Sequence, residues 1–205
     1  MKEIEIKRHL IDYIIKNDTS VVVGAEVPFQ FGTRRADVVS ILDEIATAYE
    51  IKGAGDSTER LDYQIRSYKK YFDYCFVVCE KSNLTQIRKT IGREIGILLV
   101  DENGIAELRK SKQFKRHDKE TLASTMSIER LKKAFNKQFR SKHEMCEFVA
   151  RTHTLDIIRH HSRTSLYNRY HQLSNILRSE LGDVIHSDDI LTITRMPPKH
   201  LVRIP

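Results

Sequence analysis

Arg34-Arg35-Ala36-Asp37-Val38-Val39-Ser40-Ile41-Leu42-Asp43-Glu44-Ile45-Ala46-Thr47-Ala48-Tyr49-Glu50-Ile51-Lys52 is the stretch whose reading decides the fold. Val38 to Leu42 and Ile45 to Ile51 are short apolar runs rich in β-branched residues, and the polar pair Asp43-Glu44 separates them as a turn would. Counting outward from that turn sets Leu42 against Ile45, Val39 against Ala48 and Asp37 against Glu50. Directly opposed residues on antiparallel strands have Cβ atoms roughly 5 Å apart, so two carboxylates there repel unless something positive sits between them. Side chains alternate along a strand, which places Glu50 and Lys52 on one face and Ile51 on the other. Two carboxylates with open space suit a hard divalent cation such as Mg²⁺, and a neighbouring lysine can orient a water or offset charge on a transferring phosphoryl group. The chemistry expected is metal-assisted phosphodiester hydrolysis.

The rest of the chain bounds that expectation. Its 205 residues suffice for one large domain, or for a medium domain with an appendage. With 40% hydrophobic and 31% charged residues it reads as a globular protein, not a disordered one. No apolar run approaches the roughly 18 residues that a membrane span needs, and the N-terminus lacks a secretory h-region. No membrane partner and a cytoplasmic location are expected. Cys75, Cys79 and Cys146 form no CxxC pair, and the first two flank Phe76-Val77-Val78 as small hydrophobes of a buried strand. The charge is uneven: residues 1–103 hold 15 Lys and Arg against 17 Asp and Glu, whereas residues 104–205 hold 20 against 11. A basic half suits a polyanion such as DNA or RNA, although a solvated basic helix surface would have the same composition.

Ahead of the hairpin, residues 3–16 read as a helix with Ile4, Ile6, Leu10, Ile11, Ile14 and Ile15 on one face. Glu3 and Lys7 fall inside that apolar arc, four residues apart, where they can pair. Glu3 either favours the helix dipole in a frayed first turn or points over the sheet toward the carboxylate pair. A first strand is expected over Val21–Phe31, interrupted by Gly24 and Pro28, with Glu26 as a site residue or an edge charge.

Beyond the hairpin, Gly53-Ala54-Gly55 permits a tight turn and Asp56 or Ser57 caps a helix over Leu61–Phe72. Gln64 and Tyr68, at i and i+4, share a face from which an amide and a phenol could touch a phosphate or nucleobase, or simply pair with each other. Tyr74–Cys79 and Ile95–Val100 read as buried strands with a short helix around Leu84–Ile91 between them, and Asp101 to Gly104 turns into Ile105–Arg109. The sum is a mixed α/β domain over residues 1–115. From Ser124 onward the pattern is helical, giving an all-α basic region at 120–205. Ser127 opens a helix through Ile128, Leu131, Phe135 and Phe139, and further helices are expected at Met145–Val149, Leu155–Ile158 and Leu166–Leu181. Gly182 would close the last of these, and Thr192–Ile204, with Pro197-Pro198, would form an extended tail. Eight of nine histidines lie in this half, but no spacing, His143 with Cys146 included, matches a structural zinc site.

Asp37, Glu50-Ile51-Lys52 on the next strand, and Gln64 with Tyr68 on the following helix together resemble the PD-(D/E)XK nuclease superfamily. The resemblance is to its QxxxY branch, that of RecB-type domains, and to small stand-alone bacterial and phage members in which Arg-Arg-Ala-Asp precedes the hairpin. It covers residues 1 to about 110. Glu5-Ile6-Lys7 repeats the Glu-x-Lys spacing, but residues two apart on a helix share no face. The resemblance implies a restriction-endonuclease-like sheet flanked by helices. It implies that Asp37, Glu50 and the Ile51 backbone carbonyl hold Mg²⁺ or Mn²⁺, that Lys52 assists the attacking water, and that Gln64 and Tyr68 support the substrate. It also implies an acidic residue on the first helix, where Glu3 stands. Ala36 replaces the proline usual before the aspartate. Arg34 and Arg35 are left for a substrate phosphate, with Glu26 as a further candidate contact. The expected function is a metal-dependent deoxyribonuclease of repair, recombination or defence. The alternatives are a DNA-binding or assembly module without catalysis, and a helical half that binds a partner protein or a second copy.

Overall fold

A computed structural model of the chain describes residues 1–180 together with Ile190. Its centre is a six-stranded mixed sheet in the order β1-β2-β3-β4-β5-β6. The hairpin of the opening stretch is β2 (Arg34–Leu42) and β3 (Ile45–Lys52), antiparallel, with Leu42 paired to Ile45 and Val39 to Ala48 as the turn count requires. Asp43 and Glu44 both lie in the left-handed region (φ 46° and 63°), the geometry of a two-residue type I′ loop whose twist matches that of the strands. β1 (Val22–Phe29) pairs antiparallel with β2 on the outer side.

On the inner side the connections become crossovers. α2 (Leu61–Lys69) returns the chain to β4 (Tyr74–Cys79), parallel to β3, and α3 (Lys81–Thr90) returns it to β5 (Gly96–Asp101), parallel to β4. β4 and β5, covered on both faces, carry the apolar runs such strands need. β6 (Gly104–Arg109) closes the sheet antiparallel to β5, with most of its side chains at the surface. The architecture is a mixed α/β sheet flanked by helices.

α1 (Glu3–Asn17) buries Ile6, Leu10, Ile11 and Ile14, the centre of its expected apolar arc, and Lys7 with them. The expected first strand is shorter than the sequence suggested. It ends at Phe29, and Gln30–Gly32 turn as a 3-10 segment with Gln30 and Phe31 at positive φ. The expected helix over Leu61–Phe72 stops at Lys69, because Asp73 is drawn into the sheet, its amide donating to the Ala46 carbonyl at 2.8 Å.

The C-terminal half is helical, with α4 (Lys119–Ala123), α5 (Ile128–Phe135), α6 (Lys142–Thr152) and α7 (Leu155–Glu180). α4 had no sequence signature. Phe139 falls outside α5, since Asn136 adopts the left-handed conformation (φ 48°, ψ 47°) and ends the helix; Phe139 packs on Phe148 instead, 5.2 Å between centroids. The two separate helices expected at Leu155 and Leu166 are one helix of 26 residues. Gly182 and Thr192–Ile204, expected as a helix stop and a tail, lie outside the described residues. The division read at residues 115–120 falls in the extended stretch before α4, and one hydrophobic core runs across it. All three cysteines are buried and unpaired. No helix among the described residues is long and apolar enough to cross a membrane.

α7 lies against β1, where the Val23 amide donates to Ser174 Oγ at 3.1 Å and the Tyr170 ring occupies the space above Gly24. Phe29, five residues on, stacks among Tyr68, Tyr71 and Phe72 at 5.4 to 5.8 Å, on the same side of the sheet as α7, whose Arg163 lies over Tyr71. Strict alternation would put residues 24 and 29 on opposite sides. The left-handed backbone of Glu26 (φ 49°) resets it.

Beneath that ring cluster is a buried ionic knot. Asp73, fully buried, accepts from the Ala46 amide (2.8 Å) and Arg163 Nε (3.0 Å) on one oxygen, and faces Arg159 Nη2 at 2.7 Å on the other. Arg163, itself buried, also donates to the Tyr71 carbonyl, and His117 Nε2 lies 2.9 Å from the carbonyl of Phe72.

Two substitutions test this packing. Arg163→Ala leaves the Asp73 carboxylate short of its main buried counter-charge and should cost about 3 to 5 kcal/mol in urea unfolding. Gly24→Ala places a methyl 2.7 Å from the Tyr170 ring and should cost about 1 to 3 kcal/mol by pushing α7 off β1.

Candidate functional site

The site forms where β2 and β3 part. Registered pairing ends at Val38 and Tyr49, leaving Asp37 and Glu50 at the next position, as the turn count predicts. Asp37 does not point freely into solvent, for its Oδ2 accepts from the Ile51 amide at 2.7 Å. Burial, reinforced by the charge of Glu50, pushes the Asp37 carboxyl up to about 7, against the pull of the Ile51 amide and of Lys7.

Glu50 is almost wholly buried, at 2% exposure, and three side chains hold it. Gln64 Nε2 donates to Oε1 at 2.5 Å, Tyr68 Oη donates to Oε2 at 2.5 Å, and Lys52 Nζ lies 3.0 Å from Oε1. Burial, with the charges of Glu50 and Asp37, raises the Tyr68 phenol well above its usual range, so it keeps the proton it donates. Gln64 and Tyr68 share one face of α2, as their spacing predicts, and that face is turned to the Glu50 carboxylate.

A second group of acids meets Asp37 from the other side. Glu3 on α1, Glu26 on β1 and Asp37 each bring a carboxylate oxygen within 4.8 Å of the others, among the described residues. Glu26 stands opposite Asp37 in the β1–β2 register, and its left-handed backbone is the kind of local strain that sites retain. The Lys7 ammonium sits within this group, bonded to Glu26 and, at 2.6 Å, to Glu3. Burial pulls Lys7 down, but the bonds from Glu26 and Glu3 outweigh it and hold the ammonium above its usual range. Lys7 was not singled out as a site residue, though its place inside the apolar arc of α1 was the signal that could have found it.

The two arginines take different positions. The Arg34 guanidinium lies 3.9 Å over the ring of Tyr63, an exposed residue adjacent to Gln64, while Arg35 is exposed and its carbonyl accepts from Tyr68 Oη at 3.3 Å. His143 and Cys146, once weighed for zinc, do neither: the imidazole stacks on Phe31 at 3.9 Å and the thiol is buried.

Comparison with known proteins gives three findings. The family described as Bacteriophage P4 protein cII matches residues 1–194. Protein cII of Enterobacteria phage P4 is 28% identical over 192 residues, which span 88% of this chain and 72% of that protein. A solved Silicibacter pomeroyi protein of unknown function, SPO1766, aligns with a TM-score of 0.43 and 16% identity, covering 73% of this chain and 94% of that one.

Two measurements probe the site without assuming its chemistry. Because Asp37 titrates near 7 in the fold against an ordinary 3.8, the folded chain holds the proton more tightly than the unfolded one. That stabilisation is full below about pH 4 and is lost as pH rises through about 7. In metal-free buffer Asp37→Asn should therefore be more stable than wild type above about pH 7, by on the order of 4 kcal/mol, with the advantage vanishing below about pH 4. Tyr68→Phe removes one of three donors from buried Glu50 and should cost about 1 to 3 kcal/mol in the same unfolding assay.

Proposed function

The chain belongs to the bacteriophage P4 protein cII family, and we propose that it hydrolyses DNA phosphodiester bonds with a divalent cation held at Asp37 beside Glu50 and Lys52. The observation that carries this reading is the convergence of five acidic and basic side chains from four elements on the open end of one hairpin. Asp37 comes from β2, Glu50 and Lys52 from β3, Glu3 from α1 and Glu26 from β1. The restriction-endonuclease-like reading of the sheet belongs to the same proposal.

The donor set fits the metal. Three carboxylates within 4.8 Å offer hard oxygens suited to Mg²⁺ or Mn²⁺, and Asp37 with Glu26 and Glu3 would hold it beside Glu50. A cation there would supply Lewis-acid stabilisation of phosphoryl charge and a more acidic bound water. Gln64 and Tyr68 fix Glu50 in one orientation, which in turn anchors the Lys52 ammonium at 3.0 Å. Lys52 then stands where it can orient the attacking water or meet developing negative charge on the phosphate oxygens. Arg35, exposed three positions before the end of the registered hairpin and without an ion pair among the described residues, is placed for a substrate phosphate, whereas Arg34 lies over Tyr63. Three buried free thiols suit the reducing cytoplasm, the location assigned here.

One observation favours a second reading, a DNA-binding module without catalysis. Lys7 already supplies a positive charge among the three carboxylates. A single experiment separates the two. Purified protein incubated with Mg²⁺ or Mn²⁺ should cut DNA, and Asp37→Ala or Lys52→Ala should lower the rate about 100-fold or more. Cleavage that survives either change rejects the site; binding with steep salt dependence and no cleavage under any metal selects the second reading.

A further inference from the structure

A cavity of about 640 Å³ opens between α5 and α7, among residues to which the hairpin site assigns nothing. From α5 it is lined by Arg130 and Lys133, three residues apart and so on one face of the helix. From α7 come His161, Thr164, Ser165 and Asn168, a stripe at helical spacing. Each of these six side chains can donate a hydrogen bond. Among the described residues, no carboxylate lines the cavity, and no phenyl or phenol ring does either.

Two further facts set it apart from an ordinary basic surface. Several Lys and Arg side chains of this fold are held in ion pairs, as Lys7, Lys16, Lys52, Arg66, Lys69, Arg151, Arg159 and Arg163 are. Among the described residues, Arg130 and Lys133 make no ion pair. Moreover, the buried Ser165 hydroxyl in the cavity lining has no hydrogen-bond partner among the described residues. Two uncompensated cations, backed by hydroxyl and amide donors and free of acids, select an anion with several acceptor oxygens. The volume is that of a small-molecule site, larger than one phosphate needs.

We propose that this cavity binds the phosphates of a phosphate ester, with Arg130 and Lys133 as its charged contacts. The charged contacts are made to phosphate and carry no base readout, so recognition through them is indifferent to sequence. The phosphates belong either to a nucleic-acid backbone or to a free phosphorylated molecule, and both present the same chemistry to the same donors. The proposal is independent of hydrolysis at Asp37 and Glu50, and it is tested in chelator, where no cleavage occurs.

The charged contacts are exposed, so Arg130→Gln and Lys133→Gln, singly and together, should fold; far-ultraviolet circular dichroism checks this. Binding of a fluorescein-labelled duplex oligonucleotide is followed by anisotropy across a salt series. Each phosphate contact contributes about 0.9 to the slope of log K against log salt, so the double variant should lose roughly 1.8. Lys89→Gln, exposed on α3 away from the cavity, should lose nothing. In a second arm, inorganic pyrophosphate should raise the melting temperature of wild type and not of the double variant. A lost slope identifies nucleic-acid backbone as the ligand; an unchanged slope with a lost pyrophosphate shift identifies a free phosphorylated molecule. If the double variant matches wild type in both arms, or Lys89→Gln loses as much slope as it does, the cavity is no phosphate site.

Discussion

A carboxylate taken out of water costs several kcal/mol unless donors surround it, and Asp73 meets that cost with groups drawn from distant parts of the chain. The amide of Ala46 comes from β3, while Arg159 and Arg163 come from α7, some ninety residues later. The rest of the architecture depends on this knot. It fixes where α2 gives way to β4, which determines where Gln64 and Tyr68 stand over β3. It also seats α7 across β1, with Tyr170 above Gly24. A chain lacking both arginines would hold an uncompensated charge at the junction of both halves.

The hairpin site solves the same problem differently. Glu50 is almost as buried as Asp73, but its donors are local in the fold: an amide and a phenol from the next helix and an ammonium two residues away. Asp37 and Glu26 are less enclosed and share Lys7 and Glu3 from α1. Two levels of compensation therefore sit side by side. Glu50 is locked by hydrogen bonds, whereas in the Glu3–Glu26–Asp37 group one buried ammonium, Lys7, bridges Glu3 and Glu26. The locked half can orient Lys52, and the bridged half can exchange what it holds.

Much of this was legible from residue order alone. The turn count across Asp43-Glu44 sets the hairpin register, since period-two alternation leaves little choice once the turn is known. Gln64 and Tyr68 share a face by helical spacing, and the misplaced Glu3 and Lys7 marked the acid cluster. Other features had no local signal. Asp73 and Arg163 are two charges among many, and only the tertiary fold brings them together. Glu26 carries no glycine to announce its positive φ, so the reset that turns Phe29 toward α2 could not be foreseen. α7 looked broken because Ser162, Arg163 and Ser165 interrupt its apolar pattern, yet those are the residues it buries. Phe139 kept the helical spacing of α5, and a single left-handed Asn136 removed it.

Lys7 gives the acid cluster part of its counter-charge from within the chain. Most metal sites assemble carboxylates whose mutual repulsion is relieved only when the ion arrives, so folding and loading are coupled. Here the chain carries a tethered counter-ion on a four-carbon arm, bonded to Glu3 and Glu26, while Asp37 rests on the Ile51 amide. Any dication that enters does so by exchange against a competitor at high effective concentration, one that cannot diffuse away. A dication bound there as proposed would contend with a cation encoded in the polypeptide.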